Sequence, residues 1–214
     1  MKGLLKNNFF AVYASAKVFS IFLLLFGIFT VSVISQSLLI GFVITGIVGF
    51  SISAIAVSKN EFSSKWAKYK LTLPVKRADI IVSAFLNQIL WLLIGTFFTG
   101  VGMSLSWLLH GCLFDQPIDI LSMFALGISI SLFMGAVFFP LFYLGGEERS
   151  EVFLVISLLC AFGIDFTIIS ILNNLSEPGI ISILLGNAAL FACSLLAFAL
   201  SCPLTISIFK RREY

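Results

Sequence analysis

Hydrophobic positions in this chain come in long runs. Six apolar stretches cover residues 18–35, 38–57, 80–109, 120–144, 152–172 and 179–209, and short polar stretches separate them. Roughly 20 apolar residues of helix cross about 30 Å of hydrocarbon, so each run predicts a transmembrane helix. The roughly ten-residue alternating segments of a membrane β-barrel are absent from the sequence. The third run reaches about 45 Å as a helix, so it must tilt or project beyond the hydrocarbon. Gly95, Gly100 and Gly102 mark where it would bend. Gly41, Gly46, Gly49, Ser51 and Ser53 line the second run, where small residues let helices approach closely.

Two stretches carry a different pattern. In residues 1–17, Leu5, Phe9, Val12 or Tyr13, and Ala16 fall on one helical face, with Lys2, Lys6 and Asn8 off it. That spacing predicts an amphipathic helix lying in the membrane interface; the competing reading is a basic tail. In residues 58–79, Phe62, Trp66, Tyr69 and Leu73 are spaced 4, 3 and 4 apart and form an apolar stripe. Lys65, Lys68 and Thr72 lie away from it. Asn60 fits an N-cap, with Glu61 in the first turn. Pro74 ends the pattern by pushing Leu73 toward an extended conformation. A short amphipathic helix is expected here. Its aromatic residues serve either an interfacial belt or a groove on a soluble partner.

Composition agrees with the runs. Of 214 residues, 60% are hydrophobic and 11% charged, whereas a soluble domain carries about 25% charged residues. The fold class is therefore an all-α integral membrane protein with six transmembrane helices and no large extracellular domain. Residues 1–214 are expected to form a single transmembrane domain. All 13 Lys and Arg fall in the N-terminal segment, the 58–79 segment, the loop 145–151 or the C-terminus. Six spans put these four regions on one side. The positive-inside rule then makes both termini cytoplasmic, in a multi-pass protein of the cell membrane. The net charge of +3 follows from this topology and from contact with anionic lipid; it does not indicate nucleic-acid binding.

Catalytic chemistry has little to work with. His110 is the one histidine, which argues against a His-dependent active site or metal site. Cys112, Cys160, Cys193 and Cys202 form no CxxC, and the last three lie in apolar runs, where small buried packing residues are expected. Glu147-Glu148-Arg149 lacks the EExxxR spacing and the added histidines of an intramembrane CAAX-type protease. A secondary carrier would show inverted repeats and broken helices, and no repeat is visible. Lys17 interrupts the approach to the first run and no small-x-small site follows it, so that run is expected to remain as a span.

One stretch carries a family resemblance. Asn60-Glu61, then Trp66-Ala-Lys-Tyr69-Lys-Leu-Thr-Leu73-Pro74-Val-Lys-Arg77-Ala-Asp-Ile80, resembles a signature of compact ABC-2 type transporter permeases. These include permeases similar to exporters of phenol-soluble modulins and antimicrobial peptides. Pro140 to Arg149 resembles the end of that family's fourth helix, with compressed spacing. Asn60 replaces the first acid of the usual pair, and Ser83-Ala84-Phe85 lacks a basic residue often found there. The resemblance implies a permease with no nucleotide site of its own. ATP and Mg would be bound by a separate ABC ATPase, present in two copies, and the permease would pair with a second copy or a paralogue. Residues 58–79 would be the cytoplasmic coupling helix between helices 2 and 3. Phe62, Trp66, Tyr69, Leu73 and Pro74 would dock in the ATPase, with Glu61, Lys65 and Arg77 at the rim. Glu147, Glu148 and Arg149 would make a second contact.

Asp165 is the acid set deep in a span, near or just past the bilayer midplane. Ionisable residues there usually face a bundle interior or water. It is either on the substrate path or a neutral or hydrogen-bonded structural acid paired with a Ser, Thr or Asn nearby. With no outer domain to hold a hydrophilic cargo, an amphipathic substrate moved outward fits best. A membrane-anchored sensor or regulatory subunit coupled to an ATPase is the alternative.

Overall fold

Backbone N–H and C=O groups in lipid must find partners within the chain, and a helix satisfies all but its ends. Each apolar run accordingly forms one. The computed structural model describes residues 2–33, 36–63, 77–111, 114, 116–146, 149–175 and 180–211. Six helices are seen: α1 (Lys2–Val33), α2 (Gln36–Ser63), α3 (Arg77–His110), α4 (Pro117–Gly145), α5 (Ser150–Leu175) and α6 (Ile180–Arg211). All six are long and apolar enough to cross a membrane. The described residues contain no strand.

The helices extend past the predicted apolar runs, since a helix need not stop where hydrocarbon does. Two differences matter. α1 is continuous over Lys2–Val33, with no break between residues 1–17 and 18–35. Along its first half Asn8 is buried together with Val12 and Ala16, whereas Tyr13 is exposed. The sequence pattern placed Asn8 off the packed face; its amide has a polar partner on α3, where it donates to Ser83 Oγ at 3.3 Å. Second, α2 runs on to Ser63, so Asn60 and Glu61 lie in its last turn and do not start a new helix. The stretch Ala56 to Ser63 has no Gly or Pro to end it.

α4 is the hub, packing against α2, α3, α5 and α6. Pro117 opens it after an extended Gln116, and Gly146, at φ 81°, closes it with an N–H bond to Phe142 O. Only glycine takes that φ without strain. One apolar cluster joins α2–α6 around Phe85, Phe138, Phe139 and Phe198. A second joins α1, α2 and α3 around Leu23, Phe42, Phe50 and Trp91.

Glycines set how closely the inner helices approach. A Cβ on Gly46 would strike Thr99, one on Gly49 would strike Phe19, and one on Gly127 would meet Ile47. Gly95 and Gly102 do not break α3, which is uninterrupted; Gly95 lies against Phe50 and Gly102 against Phe42. Both glycines give clearance to aromatic rings of α2. The buried placement expected for the cysteines also fails in part: Cys160 and Cys193 are exposed and Cys202 is partly buried. Lipid accommodates a thiol as a core does, so an apolar run does not separate the two.

Candidate functional site

The helix ends on one side position the residues predicted to couple. Glu61 and Phe62 lie on the last turn of α2, and Arg77 is the first residue of α3. Lys65, Trp66, Tyr69, Leu73 and Pro74 lie outside the described residues, as do Glu147 and Glu148. Arg149 is exposed beside the start of α5. Both connections thus leave from the same end of the bundle. The 64–76 stretch joins α2 to α3, and these two helices are locked along their length. Phe50 against Gly95 and Phe42 against Gly102 set an antiparallel register.

Asp165 faces inward and is 3% exposed. Ser129 Oγ of α4 donates to its Oδ2 at 3.2 Å, the hydroxyl partner anticipated for a structural acid. Its Oδ1 has no hydrogen-bond partner among the described residues. Ser129 is near the middle of α4, which spans Pro117–Gly145, so the pair sits near half depth.

A second polar layer was not anticipated. Gln88 of α3 donates from Nε2 to Ser131 O of α4 at 2.9 Å. Its carboxamide occupies the space that a Cβ on Gly135 would fill. Ile47 lies against Gly127 on the parallel helix α4, so Ser51, one turn on, is level with Ser131. Successive helix residues turn by about 100°, so Ser129 and Ser131 point to nearly opposite sides of α4. The hub therefore separates two polar sites at one depth. The sequence held a signal: Asn87-Gln88 is an adjacent amide pair inside the apolar 80–109 run, and such side chains hydrogen-bond across helices in membranes.

Pro140 explains a third polar contact. Lacking an N–H, it leaves the carbonyl of Ala136, four residues earlier, without its helical donor. Ser201 Oγ of α6 donates to that oxygen at 2.7 Å.

No curated protein and no solved structure matches the chain. A protein-family model described as "ABC-2 family transporter protein" matches residues 3–210. It covers all six spans and both connections discussed above, and the family implies an ABC ATPase as partner. The chain belongs to the ABC-2 family of transporter proteins, as a multi-pass permease subunit of an ABC transporter.

Proposed function

We propose that this permease exports amphipathic molecules, peptides foremost, across the plasma membrane with both termini in the cytoplasm. It works as a dimer with a second permease copy, on two copies of the ABC ATPase, which supply the ATP and Mg sites. The observation that carries the orientation is the charge distribution. Every Lys and Arg lies in the N-terminal segment or in the 58–79, 145–151 or C-terminal stretches, and alternating helix directions gather these at one end.

Coupling runs through residues 58–79. Phe62, Trp66 and Tyr69 supply the aromatic anchors that dominate interface energetics, with Leu73 and Pro74 ending the docking element. Glu61, Lys65 and Arg77 form its charged rim, and Glu147, Glu148 and Arg149 make the smaller contact. Closure of the ATPase pair rocks α2 and α3 between two arrangements. Asp165, near half depth on α5, lies on the substrate path.

Co-purification tests the docking. Trp66→Ala with Tyr69→Ala should weaken ATPase association about a hundredfold, as loss of two aromatic anchors would, and leave membrane insertion intact; unchanged association removes the docking model. In liposomes holding the complex, amphipathic peptides should raise ATP turnover and be transported outward. Turnover with no peptide movement would leave the regulatory-subunit reading in its place.

A further inference from the structure

One turn of α3 gathers buried polar atoms with nothing to bond. Asn87, Gln88 and Trp91 are 2%, 1% and 3% exposed, and Ser51, further along α2, is 0% exposed. Asn87 Oδ1, Gln88 Oε1, Trp91 Nε1 and Ser51 Oγ each lack a hydrogen-bond partner among the described residues. Every such orphan costs the desolvation of a polar group, and lipid offers no water in compensation. Side chains on a helix lean toward its N-terminus, so the Trp91 ring lies over the Asn87–Gln88 turn.

The rings around that turn are ordered. Trp91 stacks on Phe9 of α1 at 5.1 Å and 18°, and on Phe50 of α2 at 6.1 Å and 11°. Trp91 thus has an aromatic ring of α1 and one of α2 stacked with it. Phe9 rides on a helix that is thinly held: in an 18-residue apolar stretch of α1, 17% of positions are buried, against 56% in both α2 and α3. Asn8, next to Phe9, reaches Ser83 two turns below Trp91. A polar track of Ser83, Asn87 and Trp91, spaced four apart, thus leads from the Arg77 end of α3 inward, with the first half of α1 across it.

The orphaned atoms define a ligand. Gln88 Oε1 and Asn87 Oδ1 accept, and Trp91 Nε1–H donates. None carries charge. An amide offers the complement, an N–H for the acceptors and a C=O for the indole. We propose that this turn, with Phe9 as its lid, binds the amide group of an amphipathic substrate. The inference rests on the exporter reading and names its recognition chemistry. The substrate displaces Phe9 from Trp91, lays its apolar part along α1 and α2, and satisfies the orphaned atoms.

The test uses the permease–ATPase complex in lipid nanodiscs and two probes of equal chain length, bromododecanoyl-glycinamide and bromododecanol. Bromine quenches indole fluorescence at contact. The amide probe should give a saturable quench that bromododecanol lacks and Trp91→Phe abolishes. Asn87→Leu should weaken it about tenfold, the value of one hydrogen bond, and Phe9→Ala should strengthen it. Asn87→Leu should also raise the melting temperature, because it removes an unsatisfied group; a structural role for Asn87 predicts a fall. The site is refuted by an equal saturable quench from bromododecanol, or by an Asn87→Leu complex with unchanged binding. Peptide-stimulated ATP turnover that persists unaltered in Asn87→Leu refutes the site and leaves the exporter standing. Saturable amide quenching without peptide transport in the native complex refutes the exporter and leaves the site.

Discussion

α2, α3 and α4 are no more apolar than α1, α5 and α6, yet they are built to different ends. In an 18-residue apolar stretch of each of the first three, 56%, 56% and 50% of positions are buried; in the other three, 17%. The outer helices expose Leu, Ile and Phe at Phe22, Leu25, Ile28, Leu159, Phe166, Leu196 and Leu200. In water, an apolar surface of that extent would aggregate; in lipid it is the solvated face. Hydrophobicity therefore marks what touches lipid and what touches protein alike. The face that turns inward is marked instead by small and polar residues. On α5 that face is Ser157, Ala161 and Asp165, spaced by four, and on α6 it includes Ser194, Ser201 and Thr205. Without a hydrophobic force between helices, close packing and interhelical hydrogen bonds hold them together.

The largest expected effect breaks this contrast at its tightest point. Gly46→Leu puts a side chain into Thr99 and Leu23, where even a Cβ does not fit. It should cost about 3 kcal/mol or more, read as a lower melting temperature or loss of folded protein in micelles. Gly163→Leu adds the same atoms on α5, where a Cβ meets nothing within 4 Å, and should stay within about 0.5 kcal/mol of the parent. Equal losses would mean that α5 is covered by protein on that face. Such a result would itself locate the partner permease.

A smaller effect tests the polar contacts between inner and outer helices. Ser201→Ala leaves Ala136 O without a donor, because Pro140 supplies none. The expected loss is about 1–3 kcal/mol, the desolvation penalty of an unsatisfied carbonyl. Restoring the helical donor with Pro140→Ala in the same chain should recover most of it. A double variant no more stable than Ser201→Ala would show that the hydroxyl acts through packing alone.

Much of this fold was legible in the sequence, and the reasons are specific. Six runs gave six spans because span length is set by bilayer thickness. The alternating connections gave the helix order, and the deep acid Asp165 gave one of the two polar sites. The other site went unread. Asn87 and Gln88 carry no charge, and their meaning depends on which helices meet them; only packing brings Ser131 O to Gln88. The continuity of α2 through Asn60 was missed for a local reason. Asn-Glu reads as a helix start, and nothing in the pattern says that a helix is already running. Nor does the sequence say which rings the glycines of α3 clear; only packing sets Phe50 at Gly95 and Phe42 at Gly102.

A small stability change is expected at Asp165, and it distinguishes the two sites beside α4. Asp165→Asn keeps the shape and can keep the contact with Ser129, as the amide still offers an oxygen to that hydroxyl. Folding should move by less than about 1 kcal/mol. Export is another matter if the acid lies on the path. Removing its charge while preserving its packing should then lower transport several-fold at unchanged ATPase association. Ser129→Ala, which strips the donor from Oδ2 but leaves the acid, should act in the same direction and less strongly. A full-rate Asp165→Asn exporter would assign Asp165 to the interior stripe of α5, alongside Ser157 and Ala161. Recognition would then rest on the Asn87–Gln88 side of the hub alone.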